Sequence, residues 1–316
     1  MKAIRYYALG GPEVLRYEDT PDPVPAGGDV IVEVRAISVS PIHWKIASGS
    51  ATVSAGAFPL TPGSEAAGVT ADGRRVVLVG GGHGTKRPGV YAEKIAAAGA
   101  TLVDIPEGVG FPEAASLGVA YATAWIALSV RGALKAGESV AVLGATGGVG
   151  SAAVQIAKLL GAGKVIAACR PDAAAAVRAL GADEVLDVDR ADLGKAISDA
   201  TGGGANLILD PLAGAIGTRA LAGLAPFGRQ IVLGTSAGDT YEFKVPSVYG
   251  KNASILGFTL FGFAERLVDT VKELLAAIAK GSLKVPIDRS FPLAQAADAW
   301  RYAQTRGKLG KVVLIP

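Results

Sequence analysis

The sequence predicts an α/β protein in which a strand-rich, barrel-like region is joined to a doubly wound parallel sheet. Three observations carry this. From residue 139 the chain repeats apolar strand, glycine turn and alanine-rich helix; residues 1–118 instead hold short β-branched runs between Pro and Gly clusters. A chain of 316 residues is also long for one hydrophobic core, so a domain boundary is expected.

In the first region, residues 30–34 and 75–79 read as strands, with the cluster from Pro21 to Gly28 as a break. In the second, strands are expected at 139–143, 164–168, 184–187, 207–209 and 230–233. Helices are expected at 149–160, 173–180, 193–201 and 218–224. Residues 265–279 place Leu267, Val268, Val271, Leu274, Leu275 and Ile278 at helical spacing, with Gly281 as the stop. A helix at 294–305 and a last strand at 311–315 complete the order.

Composition narrows the function. Half the residues are hydrophobic and 19% are charged, which suits a large buried core. The formal net charge is +3 and the 31 Lys and Arg form no run, which argues against nucleic-acid capture. The N-terminus lacks an apolar signal-like stretch and no run of about 20 apolar residues is present, so a cytoplasmic location is expected. The single cysteine, Cys169, excludes an internal disulfide and any multi-thiolate metal site. His43 and His83 are the only histidines; either would need Glu65 to improvise a metal site, and no metal is expected.

The segment from Ser139 to Gly150 runs a buried-strand pattern into Gly144, Gly147, Gly148 and Gly150, then into a helix. Glycines there allow a tight turn and close approach of backbone to a pyrophosphate, while the helix N-terminus offers N–H groups to the anion. A dinucleotide fits. After the next strand an NAD site ordinarily presents Asp or Glu to the ribose 2′-hydroxyl; here the residue is Arg170, whose fork of donors suits a 2′-phosphate and favours NADPH. Asp172 follows two residues on.

With Leu180-Gly181-Ala182-Asp183-Glu184-Val185 after it, this loop resembles the zinc-independent quinone oxidoreductase branch of the medium-chain dehydrogenase/reductase family. Gly10 to Leu15, Val39 to Gly49, Pro62 to Val69 and Thr123 to Leu128 resemble further family segments in the same order. The resemblance implies a GroES-like β-rich catalytic domain at 1–118 and 255–316, split around a Rossmann NADP-binding domain at 119–254. It also implies a homodimer, while the charge and hydropathy above leave no membrane or nucleic-acid partner expected.

The zinc-using branch holds its metal with residues that here are Ser40 and Ser64. The resemblance therefore implies metal-free hydride transfer from NADPH to a quinone or an α,β-unsaturated carbonyl (enone). It supplies candidate catalytic residues: Lys45 for the developing oxygen charge, Ser40 beside the nicotinamide, and Tyr121 or Tyr91 as proton donor or wall. Implied cofactor contacts are Thr123, Gly147, Gly148, Val149, Arg170, Gly234, Thr235, Phe258 and Lys311. Ala173 and Val188 stand where many relatives have Lys and Tyr, which leaves Arg170 to bind the phosphate almost alone. Residues 50–58 and 258–263 are expected to shape the substrate cleft. Two other readings fit the sequence: a zinc-independent ketone or alcohol oxidoreductase, and a catalytically idle NADPH-binding sensor.

Overall fold

The computed structural model describes residues 1–51, 57–305 and 307–316, in two compact units. Residues 1–122, 264–306 and 311–316 form the first; residues 123–263 and 307–310 form the second.

In the first unit β1 (Lys2–Arg5) and β2 (Arg16–Asp19) make an antiparallel ribbon. There follow β3 (Asp29–Val39), β4 (Ala66–Thr70), β5 (Arg75–Leu78), β6 (Lys94–Ala98) and β7 (Leu102–Asp104). β3 is long enough to pair with β6 along its first half and with β4 along its second. Its alternation explains its orientation: Val32, Val34 and Ala36 are buried, while Glu33 and Arg35 face out and pair with each other at 3.0 Å. α1 (Pro41–Ala47) leaves the end of β3 through a proline at its first position, where the fixed φ suits a helix start. α2 (Phe111–Ala115) opens on Gly110, and a π-helical turn, Leu117–Tyr121, precedes α3 (Ala122–Ile126), within which the chain passes to the second unit.

The second unit holds β8 (Ser139–Leu143), α4 (Gly148–Leu159), β9 (Lys164–Cys169), α5 (Ala174–Ala179) and β10 (Glu184–Asp187). α6 (Leu193–Thr201), β11 (Ala205–Asp210), α7 (Gly214–Leu221), β12 (Leu224–Val232), α8 (Pro246–Tyr249) and β13 (Ser254–Gly257) follow. All six strands are parallel in the order β10-β9-β8-β11-β12-β13, the doubly wound order of a Rossmann sheet. β8, β9 and β11 are near-continuously buried, as strands covered on both faces must be.

The chain returns to the first unit with α9 (Leu267–Ala279), β14 (Ile287–Pro292), α10 (Ala296–Ala303) and β15 (Lys311–Ile315). β15 joins β3 antiparallel, giving the order β14-β15-β3-β4-β5-β7 with β6 on β3. The core of this unit includes Tyr6, Ile37, Leu78, Tyr91, Trp300 and Leu314.

Two expectations need correction. The helix expected at 218–224 is α7, Gly214–Leu221, because Asp210 Oδ1 accepts the N–H groups of Leu212 and Ala213 (2.8 Å each) and starts the turn early. β13, which periodicity does not predict, pairs with β12, so residues 255–263 lie with the parallel sheet and the chain crosses back after Phe263. Among the described residues no helix is long and apolar enough to cross a membrane.

Candidate functional site

The second unit offers a nucleotide-shaped edge. After β8 the chain turns through Gly144, with φ +61°, and enters α4 with Gly147 as N-cap. A Cβ on Gly150 would lie 2.2 Å from the Gly144 carbonyl oxygen, so only glycine lets the helix sit this close to the strand. A Cβ on Gly147 would meet nothing nearer than that same oxygen at 3.5 Å, leaving the approach to the first turn open. The N–H groups of that turn have no intrahelical acceptors and sit at the positive end of the helix dipole. A pyrophosphate fits this cradle.

β9 ends on Cys169 and Arg170, and the Arg170 guanidinium comes within 3.9 Å of where a Gly307 Cβ would stand. No carboxylate occupies the strand end; Asp172, exposed, begins the next turn. Gly234 and Thr235 follow β12. Phe258 follows β13, donates its N–H to Val232 O at 2.9 Å and stacks on Phe263 with 5.2 Å between centroids. Gly147, Gly148, Val149, Arg170, Gly234, Thr235 and Phe258 thus lie past the carboxyl ends of β8, β9, β12 and β13. That is the edge at which open α/β sheets bind ligands, near the reversal of strand order between β8 and β11. Thr123, at the start of the unit, is buried.

The first unit holds a buried polar cluster under α1. Ser40 Oγ donates to Glu65 Oε1 at 2.7 Å and accepts from Lys311 Nζ at 2.8 Å. Lys311 also donates to Val39 O at 3.1 Å and stands 3.9 Å from Glu65 Oε1. Glu65 Oε2 accepts the Val119 N–H at 2.7 Å. Burial lowers the Lys311 pKa and the Glu65 carboxylate opposes that fall. Charges so buried are tolerated because each is answered by a partner.

A second chain of hydrogen bonds starts at Trp300, whose Nε1–H donates to the Tyr91 hydroxyl at 3.0 Å. Tyr91 lies 3.1 Å from His43 Nδ1, and His43 Nε2 lies 3.1 Å from Ser64 Oγ. An indole can only donate, so Tyr91 accepts there and its own proton goes to His43 Nδ1, which also takes the Ser40 N–H at 3.3 Å. Neutral His43 therefore carries its hydrogen on Nε2 and donates to Ser64 Oγ. The 3.3 Å approach of the Ser64 N–H to the same nitrogen is the contact this tautomer leaves weak. Burial, reinforced by Lys311, pushes the His43 pKa down to about 3, so the ring is neutral at physiological pH.

Among the expected catalytic residues, Ser40 stands in the first cluster and Lys45 in the last turn of α1, half-buried. Tyr121, expected as proton donor or wall, is fully buried, and its hydroxyl donates to the Lys284 carbonyl at 2.9 Å. Lys311, expected on the cofactor, directs its ammonium to Val39 O and Ser40 Oγ within the first unit. Residues 52–56 of the expected cleft segment lie outside the described residues. Sequence reasoning missed the Trp300–Tyr91–His43–Ser64 chain, whose first link spans 209 positions and leaves no local pattern. Among the described residues no three His, Cys, Asp or Glu side chains gather as a metal site would need.

Comparison with known proteins agrees with this architecture. Residues 148–280 match a family model described as zinc-binding dehydrogenase. The human quinone oxidoreductase is 34% identical over 100% of this chain and 98% of its own length. A mycobacterial protein solved in complex with NADPH superposes with a TM-score of 0.88 at 28% identity, over the full length of both chains. An NAD-dependent alcohol dehydrogenase superposes with a TM-score of 0.90 at 29% identity, also over both full lengths. The hydroxyls of Ser40 and Ser64 are each bonded to protein groups. The chain belongs to the quinone oxidoreductase branch of the medium-chain dehydrogenase/reductase family.

Proposed function

We propose that this protein is an NADPH-dependent reductase that delivers hydride to a quinone or an enone without a metal. One observation supports the reading: the hydroxyls of Ser40 and Ser64, which the family resemblance sets at the ligand positions of the zinc-using branch, are wired to Glu65, Lys311 and His43, a donor set for positioning rather than for a cation. The bound nicotinamide supplies the hydride; the protein supplies geometry and charge. Gly147, Gly148 and Val149 receive the pyrophosphate at the α4 terminus, and Arg170 takes the 2′-phosphate in place of the usual acid. Gly234, Thr235, Phe258 and Thr123 complete the cofactor contacts. Ser40 would serve the nicotinamide end of the cofactor, and Lys45 would stabilise the oxygen on which charge develops.

The likeness to an NAD-dependent alcohol dehydrogenase favours a second reading, a zinc-independent ketone or alcohol oxidoreductase. Oxidation of NADPH, with NADH as control, separates the two when EDTA-treated protein is offered a quinone, a linear enone and a simple ketone. Turnover of the conjugated acceptors with NADPH is expected. Turnover of the ketone alone, or activity lost with EDTA, would overturn the first reading.

A further inference from the structure

His83 is 4% exposed and its Nδ1 lies 2.8 Å from the Pro88 carbonyl oxygen. A carbonyl only accepts, so Nδ1 carries the hydrogen, and Nε2 of the neutral ring is a bare acceptor. Burial lowers the His83 pKa, against the opposing pull of the Pro88 hydrogen bond, and so favours that neutral form. Nothing among the described residues donates to Nε2, an orphan acceptor inside the fold.

The His83 ring lines a small crevice together with Ser64, His43, Tyr6, Ile46 and Gly63, with room for little more than one water. Its walls are fixed by the backbone. A Cβ on Gly84 would stand 2.7 Å from Gly63 O, Val90 N–H bonds Gly63 O at 3.2 Å, and Gly89 N–H bonds Thr61 O at 3.0 Å. Ser64 Oγ accepts from His43 Nε2–H, and among the described residues its own hydrogen has no acceptor. One wall of the crevice therefore holds a spare donor and the other a spare acceptor.

We propose that Ser64 and His83 bind a single water molecule in this crevice, which accepts from Ser64 Oγ and donates to His83 Nε2. The donor order Trp300 to Tyr91 to His43 to Ser64 to water to His83 runs in one direction, and each link strengthens the next. The water keeps one O–H to offer. Resting on the reductase reading above, that O–H is the donor for the carbonyl oxygen of an acceptor reaching the crevice mouth. It is a second positioned oxyanion donor, supplied by solvent, in addition to the side chain of Lys45.

The chain has only two histidines, so isotopically labelled histidine gives NMR spectra in which each ring is read separately. The expected result is His83 in the Nδ1–H form, with its Nε2 shifted as a hydrogen-bonded acceptor and cross-relaxation from water to its ring protons; Ser64→Ala should weaken that cross-relaxation. A dry His83 ring, or one protonated on Nε2, would overturn the site in the wild-type protein without recourse to a variant. With quinone as substrate, His83→Phe should lower kcat/KM about tenfold, the scale of one hydrogen bond, with NADPH affinity unchanged. Unchanged kcat/KM in a variant that retains the fold would overturn the donor role. Absence of turnover in the wild type would sink the reductase reading instead, and the NMR result would still decide the water site.

Discussion

At the scale of single residues, the proposed choice of NADPH rests on Arg170. It stands at the end of β9 where an acid would select NAD, and Ala173 and Val188 lend it no charged neighbour. Arg170→Ala should weaken NADPH binding by about 1.5–3 kcal/mol, the worth of a charged hydrogen bond, and leave NADH nearly unchanged. Titration calorimetry with both nucleotides checks this, and equal losses for the two would refute the role. His43 sets an acid limit. An unfolded histidine titrates near 6.5 and the folded one near 3, so between those values the unfolded chain holds the extra proton and stability rises with pH. The stability linked to keeping His43 neutral is complete above about pH 6.5 and is lost as pH falls toward 3, at up to ~1.4 kcal/mol per pH unit. Urea unfolding between pH 6.5 and 5 should show a shallower fall for His43→Asn than for the wild type. Parallel slopes would mean that His43 does not titrate on unfolding as described. Arg170 was legible from the strand end alone, whereas the neutral state of His43 depends on Tyr91, Ser64 and Lys311, which the chain brings together from far apart.

Elements were legible in proportion to how far their pattern is local. β8 and β9 follow from short apolar runs closed by Gly144 and Pro171, β10 from a short run opened by Gly181, and α9 from apolar positions at helical spacing. α7 starts four residues before its expected position, and Gly214 and Gly217 within it have tertiary reasons to be there. A Cβ on Gly217 would stand 2.2 Å from Asp210 Oδ2 and 2.5 Å from the Tyr241 hydroxyl. Asp210 is fully buried, takes the Tyr241 O–H and the Gln230 Nε2–H (2.9 Å), and so requires a helix that approaches without a side chain. β13 escaped for the opposite reason: Ser254, Ile255 and Gly257 are exposed, so an edge strand shows neither a buried run nor a clean alternation. Among the candidate site residues, those on the glycine loop were readable from spacing, because a strand, a turn and a helix start are consecutive. The cluster of Ser40, Glu65 and Lys311 was not, since its ends lie 271 positions apart.

At the scale of the whole molecule, the open question is what meets the free edge of the parallel sheet. β13 is the terminal strand, with its outer N–H and C=O groups available to another strand. Apolar side chains are exposed on β13 and on the segments before it in the chain: Ile255 is 37% exposed, Phe227 75%, Val245 65% and Tyr249 67%. Phe227 is held there by its N–H bond to Lys251 O at 2.7 Å, despite a left-handed backbone with φ +59°. A strained backbone that places an aromatic ring in water fits a surface that is covered in the working protein. We propose that a second copy of the chain pairs its β13 with this one, which would cover the face with one self-complementary patch and extend the sheet across a two-fold axis. Ile255→Lys places a charge at the middle of that contact, next to its own symmetry copy. Light scattering should then give a dimer mass for the wild type and a monomer mass for the variant, while NADPH binding at the far ends of β8 and β9 is retained. A wild-type monomer at micromolar concentration would remove the dimer; a variant that stays dimeric would move the contact away from β13.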